Sequence, residues 1–180
     1  MANFPLRRVV HFGPSVNLAE RYGVRVQAIY TDSTAWRAIY VRHLEPSENG
    51  GNHHIYIDTL DEQGRPMPQS PVFSWNGMRP DETPSPLEFK NESGQAMYNI
   101  PVYGGQEITV WLPGDSDRVT GLHTSHPIEG DGGNHPHHHS FYIVFQRAVG
   151  KFIEQPKPHT DAATLIEQAI KLLYEAKNLL

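Results

Sequence analysis

A chain of 180 residues with 15 Gly, 15 Pro and no Cys has room for one domain with appendages, favours strands and turns over long helical bundles, and excludes disulfides, thiolate nucleophiles and thiolate-held metals. Fifteen Lys and Arg against 20 Asp and Glu give a net charge of -5, so no broad positive field exists to hold a phosphate backbone, and nucleic acid is not an expected partner. Residues 1–10 lack the apolar core of a signal peptide, and no later run approaches the roughly 20 apolar residues that span a bilayer. The product is therefore expected to be soluble as made; action outside a cell would require lysis, packaging in a virion or another export route.

Residues 1–22 read as an N-terminal arm, because Pro5, Gly13 and Pro14 interrupt any helix there. The domain proper is expected over 23–150. Within it, runs rich in Val, Ile, Tyr and Trp at 24–30, 36–43, 53–60, 71–75, 96–102, 106–112 and 139–147 are divided by turn residues, the pattern of an antiparallel β-sandwich of about seven strands. Alternation over 107–112 and 140–146 assigns Ile108, Val110, Leu112, Phe141, Ile143 and Phe145 to the core, since residues two apart on a strand share a face. Two longer loops, 76–88 and 113–138, are rich in Pro, Gly, Asp and His; loops of that length in a compact domain are either functional or insertions.

A linker over 151–158, with Pro156 and Pro158, leads to 159–180. There, behind a Thr160 or Asp161 cap, Ala162, Ile166, Ala169, Ile170, Leu173, Ala176 and Leu180 recur at steps of three and four, which predicts one C-terminal amphipathic helix. Leu165, Leu172 and Leu179 widen the apolar stripe. An isolated helix of this length is marginal, so its stripe is expected either to pack on the sheets or to pair with other subunits as a short coiled coil would.

The strand ending in Leu60-Asp61-Glu62-Gln63-Gly64-Arg65-Pro66-Met67 resembles the entry of transthyretin-like and other Ig-like accessory sandwiches. A longer ordered set comprises Trp36-Arg37-Ala38-Ile39, His43-Leu44 with Pro46 and Glu48-Asn49, Trp75 with Gly77 and Arg79-Pro80-Asp81-Glu82, Ile108-Thr109-Val110-Trp111, Leu122-His123-Thr124, and His138-His139-Ser140-Phe141 through Val144-Phe145-Gln146-Arg147. It resembles β-sandwich accessory domains found beside cell-wall hydrolase domains, such as family 25 lysozymes, in Chloroflexota-type bacteria and their phages. The likeness spans residues 35–148 and implies an accessory, cell-surface or phage-related context, with no catalytic residue carried over. The 180 residues have no room for a hydrolase beside this domain, which turns the expectation towards a free-standing adhesion module or a particle component.

Three kinds of chemistry are legible in the side chains. Of 11 His, His123, His126, His135, His137, His138 and His139 crowd one stretch near Glu129 and Asp131. Neutral imidazoles suit Zn, Ni or Cu, and His137 and His139 on an extended segment project to one side, so His123, His126, His137 and His139 form a candidate divalent transition-metal set. The competing reading is a solvated polar loop in which His139 caps the final strand. Exposed aromatics are the second kind: with Ile108 and Val110 inward, Trp111 faces outward, and Tyr56 beside Asp58 offers the same pairing of a flat ring with a carboxylate that sugar-binding surfaces use. Against this, Trp111 would also suit a position under a loop or under the C-terminal helix, while Trp36 and Trp75 suit core or rim packing. Carboxylates are the third. Asp81-Glu82 and Asp115 with Asp117 lie in Pro/Gly loops where charge is expected, adjacency builds no glycosidase cleft, and two acids fall short of the roughly 6 to 8 ligands of Ca²⁺.

No phosphate loop, nucleophile elbow or His-Glu-x-x-His motif occurs, so a non-enzymatic protein without a required cofactor is expected. The leading expectation is a module attaching to a glycan or cell-wall polymer. The alternatives are a structural or virion protein that self-associates through the arm and residues 159–180, and a metal-binding protein built on the histidine loop.

Overall fold

The computed structural model describes residues 16–84, 86–89, 95–124 and 138–148. The expected linker and C-terminal helix, most of the arm, and His126 and His137 lie outside the described residues. Among those described, the protein is mainly β with two sheets. In chain order the elements are β1 (Val16–Asn17), a 3₁₀ turn at Glu20–Tyr22, β2 (Arg25–Gln27), β3 (Ala35–Leu44), α1 (Pro46–Asn49), β4 (His54–Leu60), β5 (Val72–Trp75), β6 (Tyr98–Pro101), β7 (Ile108–Trp111), β8 (Arg118–Leu122) and β9 (Ser140–Ala148).

The first sheet has the order β1-β3-β9-β4-β6 and the second β2-β8-β7-β5. Antiparallel pairing holds throughout the second sheet. In the first it fails at β1–β3 and β4–β9, which are parallel. The reason for β4–β9 is geometric: β3 and β4, joined through α1, run in opposite directions, so a strand inserted between them is antiparallel to one and parallel to the other.

Each run expected to be a strand contains one, but the structure adds two. Val16–Asn17, inside the expected arm, pairs with Tyr40 and Val41 at the edge of β3. Arg118–Leu122, inside the expected 113–138 loop, is β8. The alternation in β8 is broken by an extra residue: two steps from Ile108 to Val110 on β7 match three from Leu122 to Val119 on β8. That bulge turns both Val119 and Leu122 into the core at 0% exposure although their numbers differ in parity. Gly121 makes it, at φ 74°, where a Cβ would sit 2.6 Å from the Gly23 carbonyl oxygen.

One core joins the two sheets. Val41, Ile55, Ile57, Ile100, Phe141, Ile143 and Phe145 from the first sheet cluster with Ile108, Val110, Val119 and Leu122 from the second. All six residues assigned to the core from alternation are at most 1% exposed; removing such a side chain from water contributes about 1.5 to 3 kcal/mol. The opposite face of the first sheet is also buried, with Ile39, Leu44, Leu60, Tyr142 and Val144 clustered with Ala96.

β3 contains a second bulge, and it positions the chemistry. Between Ala38, opposite Phe145, and Tyr40, opposite Val144, Ile39 is the extra residue. Before it the even-numbered Trp36 and Ala38 join the core; after it the odd-numbered Val41 does. His43 is thereby brought to the inward face, opposite Phe141.

Candidate functional site

β3 ends, β4 and β9 begin and β6 ends at the same end of the first sheet, where Leu44 faces Ser140, Ile55 faces Phe141 and His54 faces Pro101. This convergence collects histidines in two groups. The buried group lies inside. His139 precedes β9 with the inward parity of Phe141, and its ring stacks on that of His43 at 5.0 Å, with His43 Nε2 2.9 Å from His139 Nδ1. Glu45, the residue before α1, brings Oε1 to 3.4 Å from His43 Nδ1 and Oε2 to 3.8 Å from His139 Nδ1. His43 and His139 are 6% and 1% exposed.

Around them, the Tyr22 ring stacks on His43 at 3.7 Å and its hydroxyl donates to Glu45 Oε1 at 3.2 Å. Arg21 in turn donates to the Tyr22 oxygen. The His139 amide donates to Thr124 Oγ1 at 3.2 Å, tying the start of β9 to the residue that follows β8 in the other sheet by two positions. Glu48 reaches back to the Glu45 amide, so α1 holds the carboxylate's backbone in place.

The outer group is a run of rings. His53 lies 5.5 Å from His54, 5.6 Å from Tyr103 and 6.2 Å from His138, centroid to centroid, and His54 lies 5.6 Å from Tyr56. The His53 ring is fixed by a 2.7 Å hydrogen bond between Nδ1 and the Val102 carbonyl. The turn carrying Tyr103 is fixed by mutual bonds between Tyr103 and Gln106. Tyr103 itself is 58% exposed. Burial, and then the charge of His53, lowers the His54 pKa, and burial raises that of Tyr56 against a bond from Asn52; near neutral pH both rings are uncharged. Beneath the two groups, the Asn49 side chain reaches the Asn52 and His138 carbonyls and Ser140 Oγ, and Ser140 Oγ accepts the His54 amide.

The residues singled out from sequence are dispersed. His139 is in the buried group, while His123 follows β8, half-buried, and is not a member of it. Tyr56 is half-buried in the outer run. Asp58 does not reach the surface: at 0% exposure its carboxylate accepts from Tyr142 Oη at 2.6 Å and from the Met97 amide at 2.8 Å, linking β4 to β9. Trp111 ends β7, half-buried, with the Arg118 guanidinium 4.8 Å over its ring. Trp36 lies in the core and Trp75 packs against it. Of the acids, Asp117 is buried and structural, and Glu82 pairs with Arg79.

His43, Glu45, His53, His54 and Tyr103 were not among the sequence candidates. The His53-His54 pair was visible as such; His43 was not, because its inward direction depends on the Ile39 bulge. Comparison with protein families, with curated proteins and with solved structures found no match in any of the three.

Proposed function

We propose that the protein is a non-enzymatic β-sandwich module of the Ig-like or transthyretin-like kind that attaches to a glycan or cell-wall polymer through the ring-lined end of its five-stranded sheet. The observation that carries this reading is the contiguous run Tyr56, His54, His53, Tyr103 and His138, with its outermost ring more than half exposed. Flat rings accept the C–H faces of pyranoses, and a platform fixed before binding loses little entropy on contact. Asn52 and Gln106, at the same end, brace that platform through bonds to the Asn49 carbonyl and from the Tyr103 amide. The resemblance to accessory domains of cell-wall hydrolases implies a cell-surface or phage-related context, in which such a polymer is met.

A glycan array, followed by titration with the best polysaccharide, tests the proposal. Tyr103→Ala and His53→Ala are each expected to weaken binding about tenfold, roughly 1.4 kcal/mol, while Trp111→Ala on the other sheet leaves it unchanged. Binding lost in Trp111→Ala and kept in Tyr103→Ala would move the surface to the four-stranded sheet. Failure of the wild type to bind any wall preparation or common polysaccharide would end the reading.

A further inference from the structure

We propose that His43, Glu45 and His139 bind one divalent transition-metal ion of the zinc class. The ligand atoms of the three residues lie within 4.8 Å of one another. Two imidazole nitrogens on a tetrahedral ion, each at about 2.0 to 2.1 Å, stand roughly 3.3 Å apart. The observed 2.9 Å between His43 Nε2 and His139 Nδ1 needs to open by only a few tenths of an ångström to admit one. Two neutral imidazoles and a carboxylate suit this class of ion and leave a further coordination position for water or another donor.

A second observation comes from the carboxylate. Glu45 Oε2 is buried and has no hydrogen-bond donor among the described residues, and it stands 3.8 Å from His139 Nδ1, beyond hydrogen-bond reach. A buried acceptor of this kind is rare in folded proteins and calls for a missing partner, which an ion between the carboxylate and the two rings would supply. The surroundings serve as outer support: Tyr22 donates to the other oxygen of Glu45 and covers the His43 ring, and Thr124 holds the His139 backbone. The site shares only His139 with the set read from sequence, and it is independent of the glycan reading, whose rings lie outside it.

The test uses the untagged full chain, refolded with Zn²⁺, freed of excess metal and analysed for elemental content, with Co²⁺ as a spectroscopic substitute. Expected is one tightly held ion per chain, visible d–d bands of a four- or five-coordinate nitrogen and oxygen site, and a rise in melting temperature with Zn²⁺. A variant with His126, His135 and His137 all replaced by Ala keeps these properties. Glu45→Gln, on a partly exposed residue, and His43→Gln lose affinity at least about tenfold; should His43→Gln fail to fold, Glu45→Gln decides. Substoichiometric metal in the wild type would overturn the proposal and leave the close imidazole contact as a plain hydrogen bond. It would equally be overturned by binding unchanged in folded Glu45→Gln, or by binding lost with the three loop histidines.

Discussion

Asp117 shows how much one carboxylate can organise. Its oxygens accept the amides of Ile29 at 2.9 Å and Ala38 at 3.1 Å and face Arg37 Nε at 3.2 Å, while its own amide donates to the Trp36 carbonyl. Burial pushes its pKa up, opposed by those two amides and by Arg37. An amide in its place would turn an N–H₂ towards one of these donors, so Asp117→Asn is expected to lose about 1 to 3 kcal/mol in urea unfolding, the cost of a buried polar group left unsatisfied. At His54 the effect is one of pH. Its lowered pKa means that, around and below the ordinary imidazole value of about 6.5, the unfolded chain binds more protons than the folded one. Its contribution is complete above that value and declines as pH falls through it towards the lower folded value. Between pH 7.5 and 5.5 the wild type should lose more stability than His54→Gln, measured by urea midpoints. Parallel curves would show that His54 is not perturbed. Asp58, read from sequence as a ligand group, illustrates a limit at this scale: its outward parity was legible, but the burial of that face by other parts of the chain was not.

At the scale of elements, the two bulges decide what the strands present. The one at Ile39 brings His43 inward; the one on β8 lets Val119 and Leu122 share a face. Gly121 carries two demands, a positive φ and a close approach to the Gly23 carbonyl, whereas Gly105, also at positive φ, has nothing within 4 Å of the place a methyl group would occupy. Gly121→Ala should therefore cost more than Gly105→Ala, for which only the backbone term of about 1 to 3 kcal/mol applies. Equal losses in thermal unfolding would mean that β2 and β8 separate easily to relieve the contact. The strands over 36–43, 53–60 and 139–147 were legible because they are long and apolar. β8 was hidden because an irregular register destroys the alternation by which a strand is recognised, and β1 because a two-residue pairing leaves no pattern at all.

At the scale of the whole molecule, the shared core predicts that the two sheets unfold together. Trp36 lies in the first sheet and Trp75 and Trp111 in the second, so tryptophan fluorescence and far-ultraviolet circular dichroism should give one coincident urea transition. Two separated transitions would show that the sheets hold independently. None of the helices among the described residues is long and apolar enough to cross a membrane. The sequence by itself determined the mainly-β character and the inward set Ile108, Val110, Leu112, Phe141, Ile143 and Phe145, because a two-residue period is a local property of extended chain. Only the tertiary structure decided that β9 enters between β3 and β4, and that His43 meets His139 from 96 positions away. Strand neighbours are selected by burial summed over the entire chain, and no local pattern records that sum.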